Sequence, residues 1–147
     1  MAAIYHFLEE QYLAHPNAIV LAALEGYSIG SQNRPFDLGE VGGVIRLCLT
    51  LNHVQYLVVA PKALKKFVTG KGDSADKEAM RRATKKKWSV DIDQNDECDA
   101  YGLAKVAQAY DLRDTTNRAE LEVLHALSDE QEPGFALTAF SHKGISV

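Results

Sequence analysis

The feature that most constrains the fold is the stretch 18–24, Ala-Ile-Val-Leu-Ala-Ala-Leu, in which every residue is apolar. A strand exposed on one face alternates apolar and polar residues, so this uniform run is typical of a strand covered on both faces of a largely parallel sheet. A second, mostly apolar run, 55–60, stops at Pro61. The residues between the runs follow a helical pattern, so the sequence predicts two parallel strands joined by a helix, in an α/β fold.

Three acidic residues from two distant parts of the sequence are candidates for a functional site. Glu25 directly follows the first apolar run, and the carboxyl end of a central strand is where ligands usually bind in open α/β sheets. Asp96 and Asp99 open a helix predicted to run to about Tyr110; three positions apart, they project from one face of its first turn. The alternative is that these acids only cap the helix and complement its dipole. The combination with Glu25 favours a divalent-metal site.

Positive charge is concentrated in one part of the chain. Residues 62–87 contain ten Lys or Arg and three acids, although the whole protein carries a net charge of −4. A basic block beside a group of carboxylates is what a metal-dependent nuclease needs, because lysines neutralise phosphates while carboxylates hold the metal. The alternative is the solvated face of an amphipathic helix.

A glycine-containing loop interrupts the basic block. Gly70-Lys71-Gly72 precedes a helix that Asp73 or Ser74 is expected to cap, and such a loop can accept a phosphate through its backbone N–H groups. Trp88, at the end of this helix, is expected to pack on the core; the alternative is that it stacks on a base.

Two further segments have more than one interpretation. Residues 26–30 match the G-x-S-x-G pattern of a nucleophile elbow, but a polar loop follows in place of a helix, so we do not expect a hydrolase of that type. Asp37 is predicted to cap a helix over 37–49. Within it, Gly42 and Gly43 are expected to allow close packing on the sheet or on a partner chain.

Length and composition set the remaining limits. A chain of 147 residues, 46% apolar and 24% charged, is typical of one globular domain with a single core. No apolar run approaches the roughly 20 residues that span a bilayer, so we expect no membrane segment. The first residues lack a secretory pattern, and Cys48 and Cys98 are expected to be reduced, buried thiols. These features favour a cytoplasmic protein.

Several short motifs, in their order and spacing, resemble a known family. They are Leu24-Glu25-Gly26-Tyr27, Gly39-Glu40-Val41-Gly42-Gly43-Val44, Pro61-x-x-x-Lys65-Lys66-Phe67-x-x-Gly70-Lys71-Gly72, Ala75-x-Lys77 and Asp96-x-x-Asp99-Ala100. Over about residues 3–110 the chain resembles the RuvC-like Holliday-junction resolvases, especially phage-type members of the ribonuclease H-like superfamily. The resemblance implies a three-layer α/β fold over 1–112, followed by a C-terminal helix and tail over 113–147.

The resemblance also implies an activity and its residues. Glu25 matches the family's second acid, and Asp96 and Asp99 match its last two, so these three would be catalytic and would hold Mg²⁺, or Mn²⁺ in its place. Lys65, Lys71 and Lys77 match the family's basic positions near the DNA backbone. With their neighbours in the basic block and the glycine loop, the expected DNA-binding residues are Lys65, Lys66, Gly70, Lys71, Gly72, Lys77 and Arg81. The implied activity is structure-selective cleavage of branched DNA by a homodimer that pairs through the helix beginning near Leu38.

One departure from the family pattern opens an alternative. The family begins with a strand hairpin that carries an aspartate in a D-x-G pattern, whereas the only D-x-G here, Asp37-Leu38-Gly39, follows Glu25. We therefore expect the N-terminal hairpin to be missing. The alternative function is a catalytically incomplete, non-cleaving module that binds DNA junctions.

Overall fold

The computed structural model describes residues 21–26, 35–72, 76–115 and 117–130. In order, these segments form β1 Leu21–Glu25, α1 Pro35–Leu51, β2 Gln55–Val59, α2 Pro61–Thr69, α3 Lys77–Trp88, α4 Asn95–Leu112 and α5 Arg118–Glu130. The rest of the first apolar run, most of the G-x-S-x-G segment and the tail from 131 lie outside the described residues. The expectation that the N-terminal hairpin is missing concerns residues before 21, which are not described either.

The two strands pair in parallel, as predicted. Leu21 lies opposite Gln55 and Glu25 opposite Val59, and α1 makes the connection between the strands. A parallel pair needs a crossover of this kind, because a tight turn can join only antiparallel strands. The predicted α/β class is confirmed.

The helices form the core on one face of this strand pair. Leu21 and Ala23 of β1 pack against the core, as do Leu57 and Val59 of β2. Helix α4 packs against β1 and is contacted by α2, α3 and α5, while α1 packs against β2. The largest fully buried side chains are Leu57, Leu64, Val59, Val106, Thr84 and Cys98.

Helix α5 belongs to this same core. It packs on α2 and also contacts α4 and β2, and it buries Val123, Leu124 and Leu127 in the central cluster. The described part of α5 thus folds against the elements that precede it. The expected domain boundary after residue 112 stays a prediction.

Two of the expected helix starts are wrong. Helix α3 is capped by Asp76, whose carboxylate accepts a 2.7 Å hydrogen bond from the Ala79 N–H, and not by Asp73 or Ser74. Helix α1 begins at Pro35, because proline suits the first helical position, so Asp37 is its third residue and not its cap.

The expectations for the two cysteines and for Trp88 are met. Cys48 and Cys98 are free and buried, and Trp88 packs against the core with its ring edge-to-face on Tyr101, the ring centroids 5.7 Å apart. Among the helices that the structure describes, none has the length and apolar character to cross a membrane.

The glycines of the helices play different roles. A Cβ added at Gly102 in α4 would lie 3.0 Å from both Leu64 Cδ1 and Val68 Cγ2 of α2, so this glycine permits the close approach of the two helices. A Cβ added at Gly43 in α1 would meet no described atom within 4 Å. The expected close packing at Gly43 is therefore not found within the described segments. Glycine lowers the stability of a helix relative to alanine, and no packing contact of the described residues requires it here.

These two positions allow a matched stability test. Gly43→Ala should raise the free energy of unfolding by about 0.5–1 kcal/mol, because alanine loses less backbone entropy in a helix. Gly102→Ala should lower it, because the propensity gain is outweighed by overpacking, which costs roughly 1–3 kcal/mol. Urea unfolding of both variants measures the difference. A loss of stability at Gly43 would instead indicate a chain packed on α1.

Candidate functional site

The alternation of side chains along β1 sets the direction of Glu25. Leu21 and Ala23 face the helical core, so Glu25, two residues further along, emerges on the same face at the carboxyl end of the strand. The next N–H, that of Gly26, donates to Val59 O at 2.8 Å, so the strand pairing continues past the acid. The carboxylate is thus held at the end of the sheet on the side where α4 packs.

Asp96 and Asp99 lie in the first turn of α4, as predicted. The helix begins at Asn95, and its N-cap Gln94 makes no side-chain capping hydrogen bond. Between the two acids, Cys98 is fully buried, and its Sγ lies 3.2 Å from Thr84 Oγ1 of α3. Burial of Cys98 keeps Asp99 at the edge of the core, half-buried, while Asp96 stays exposed.

The charges of these acids are coupled across the two elements. Loss of hydration raises the pKa of Glu25 above its ordinary value, and the negative charges of Asp99 and Asp96 raise it further. Partial burial, then Asp96, raises the pKa of Asp99. Each proton affinity is increased because the charged form is both desolvated and repelled by its neighbours. The structure therefore brings all three predicted acids within electrostatic range of one another.

Two lysines partly offset this repulsion. The positive charge of Lys65 in α2 lowers the pKa of both Glu25 and Asp99, and Lys77 at the start of α3 lowers that of Asp99. Neither lysine forms an ion pair with an acid of the described segments. Both therefore add positive charge beside the carboxylates.

The donor chemistry suits a hard divalent cation. Carboxylate oxygens are what Mg²⁺ prefers, and mutual repulsion among them is what a cation would relieve. Within the described ranges, however, no three His, Cys, Asp or Glu side chains converge closely enough to hold an ion together. The arrangement fits Mg²⁺ bound through one or two of the acids, with water completing its shell, which is how this ion is commonly held.

The other expected DNA-binding residues have varied surroundings. Lys66 Nζ lies 2.7 Å from Glu122 of α5. Arg81 donates from Nε to Ile92 O at 3.2 Å and from Nη2 to Asp93 at 3.0 Å. These two basic groups therefore face acids or backbone of the chain itself.

The start of the glycine loop is ordered as the C-terminal cap of α2. Gly70 ends α2 with φ of 77°, a left-handed value that favours glycine, and its N–H donates to Lys66 O. The Lys71 N–H donates to Thr69 Oγ1 at 3.1 Å, and Gly72 passes against the side chain of Lys62. Lys71 itself is exposed.

Sequence reasoning missed one buried ion pair. Glu120 of α5 is 7% exposed and pairs with Lys87 Nζ, which also donates to Phe67 O at 2.9 Å and lies 4.6 Å from the centroid of the Trp88 ring. A signal for it existed, since Glu120 falls on the same helical stripe as the buried side chains of α5. A buried carboxylate on an apolar stripe needs a charged partner.

The chain is similar to known proteins over part of its length. No family model matches the sequence. The crossover junction endodeoxyribonuclease RuvC of Brachyspira hyodysenteriae (strain ATCC 49526 / WA1) is 37% identical over 67 residues, which are 46% of this chain and 41% of that protein. The structure of Thermus thermophilus RuvC superposes with a TM-score of 0.57 at 20% identity, covering 70% of this chain and 62% of that one.

These matches are partial. The chain spans 41% of the curated relative and 62% of the solved structure, less than two thirds of each. At 20% identity the structural likeness shows a shared fold. The chain therefore has the ribonuclease H-like fold of RuvC and, over part of its length, resembles the RuvC-like Holliday-junction resolvases.

Proposed function

We propose that this chain is a metal-dependent, structure-selective endodeoxyribonuclease that hydrolyses phosphodiester bonds in Holliday or other branched DNA junctions. Glu25, Asp96 and Asp99 would be its catalytic acids. Lys65, Lys71 and Lys77 would contact the DNA backbone.

The observation that carries this proposal is the meeting of two distant parts of the chain. Glu25 at the end of β1 and Asp99 in the first turn of α4 share one electrostatic environment, and Lys65 acts on both. A helix cap needs no third acid from a strand, so this arrangement favours a cation site over simple capping of α4. The partial likeness to RuvC supports the same activity.

The expected cofactor is Mg²⁺, with Mn²⁺ as a substitute, bound through one or two of Glu25, Asp99 and Asp96, with water completing its shell. Bound there, the metal would lower the pKa of the attacking water and stabilise the leaving oxygen. The residues of the chain would orient the substrate: Lys65 and Lys77 would neutralise the phosphate next to the acids, and Lys71 would hold the backbone further along. Since bases need not be contacted, selectivity would depend on DNA shape.

A homodimer would place two such sites on one junction. Helix α1 leaves Val41, Leu47 and Leu51 more than half exposed, which supports its expected use between two copies. A two-fold axis would then present the two carboxylate groups to symmetry-related strands of a four-way junction.

The second candidate is a non-cleaving module that binds junctions. The lack of a converged three-ligand set within the described ranges favours it, because such a chain would keep its lysines but hold a metal poorly. Dependence of cleavage on a divalent metal separates the two candidates, whereas DNA binding alone does not.

Cleavage is tested with a labelled four-way junction, with Mg²⁺, with Mn²⁺ and with chelator. The wild-type chain should nick it only with metal. Asp99→Asn should reduce the rate by about 100-fold or more, since even outer partners of metal ligands are worth 10–100-fold. Junction affinity should be retained, because the variant loses a negative charge near the phosphates.

The matched control is Glu97→Gln, which removes a charge from the same helical turn at an exposed position. This variant should cleave at the wild-type rate. Binding of the junction with no metal-dependent nicking by the wild-type chain would establish the second candidate. Equal losses in both variants would point to the charge of the turn and not to a role of Asp99.

The raised pKa of Asp99 also predicts an effect on stability without metal. The folded chain binds this proton more tightly than the unfolded chain, so stability falls as pH rises through the folded pKa. Asp99→Asn should therefore raise Tm at neutral pH. The corresponding gain in the free energy of unfolding should be less than about 1 kcal/mol, because the carboxylate is half in solvent. Below the ordinary Asp pKa the difference should vanish. Thermal melts against pH measure it, and a lower Tm at neutral pH would contradict the repulsion.

A further inference from the structure

The loop that leads into α4 is held by side chains of α3. Arg81 Nε donates to Ile92 O at 3.2 Å, and its Nη2 donates to Asp93 Oδ1 at 3.0 Å. One turn further along α3, Lys85 pairs with Asp91. The fixed fork of a guanidinium suits two acceptors on adjacent residues, and an ammonium cannot reproduce it.

This anchor lies next to the carboxylate-bearing turn. Ile92 packs against the core, and Asp96 follows four residues later. Gln94 supplies no side-chain cap for α4, so the helix start depends on contacts from elsewhere. Thr84, on the same face of α3 as Arg81, meets the buried Cys98 of that first turn. Helix α3 therefore contacts the start of α4 in two ways: through the hydrogen bonds of Arg81 to the preceding loop and through the buried contact of Thr84 with Cys98.

We propose that Arg81 is a positioning residue, which fixes residues 91–94 and thereby the turn that carries Asp96 and Asp99 relative to Glu25. Its guanidinium is directed to the loop, so this role replaces the phosphate contact expected from charge alone. The exposed pairing with Asp93 contributes little by itself, since surface ion pairs are weak. The bond to the backbone oxygen of Ile92 carries the constraint. The consequence for metal binding rests on the proposed function.

Arg81→Lys separates the two roles, because it keeps the charge and removes the fork. The matched control is Arg82→Lys, the same change one residue on, where the side chain is 68% exposed and lies 3.9 Å from Glu78, a residue that Arg81 Nη1 also approaches at 3.9 Å. The full chain is measured in three ways: hydrogen exchange of the Cys98 amide, which donates to Gln94 O at 3.0 Å; Mn²⁺ binding by electron paramagnetic resonance; and affinity for a four-way junction in chelator across salt concentrations.

A positioning role predicts that Arg81→Lys speeds exchange at Cys98 and weakens Mn²⁺ binding by about 10-fold, the lower range for outer partners of metal ligands. Junction affinity and its salt dependence should stay at wild-type values, and Arg82→Lys should change none of the three. Unchanged exchange at Cys98 overturns the proposal. The proposal is also overturned if Arg81 behaves as a phosphate contact. In that case Arg81→Lys changes none of the three measurements, and Arg81→Ala reduces the slope of log junction affinity against log salt concentration by about 0.9.

Failure of the proposed function gives a different result. A wild-type chain that binds neither Mn²⁺ nor the junction defeats the nuclease proposal, whereas hydrogen exchange at Cys98 still decides whether Arg81 holds the turn.

Discussion

The parallel pairing of β1 with β2 is the constraint on which the rest of the described structure depends. Two strands alone are marginal, so this pair requires the helices that cover it. Helix α4 supplies that cover on β1, and its close packing on α2 is possible because Gly102 has no side chain. The same packing brings the start of α4 to the carboxyl end of β1. The packing that closes the core is thus also what brings Asp99 and Asp96 into the electrostatic environment of Glu25.

Electrostatics at this point work against folding and in favour of binding. Glu25 and Asp99 are kept close although burial and mutual repulsion disfavour their charged forms. The surrounding core must supply the free energy that holds them there. Lys65 relieves only part of the repulsion. A cation bound beside the acids would relieve more of it, which supports the proposed metal site.

The basic block does not act as one surface. Some of its side chains lie near the carboxylates, others hold the loop before α4, others pair with acids of α5, and Lys71 is exposed. The ammonium of Lys87 is engaged within the protein, by Glu120 and by the rings of Phe67 and Trp88. A count of positive charge therefore overestimates the number of groups that a phosphate backbone can reach. Helix α5 contributes to the core and also pairs with two of these lysines, Lys66 and Lys87.

The sequence by itself determined the strands, the parallel pairing, the helix over α4 and the candidate acids, because apolar runs and acid spacing depend on local patterns. The partial likeness to RuvC supports that fold. Only the tertiary structure decided which charges meet. Arg81 and Lys66 belong to the same basic block in the sequence, yet one reaches the loop at Ile92 and the other α5. Helix starts at Asp76 and Pro35 were also missed, since several residues could cap equally well. Long-range pairing depends on how helices pack, and periodicity in one segment carries no information about the partner it will face.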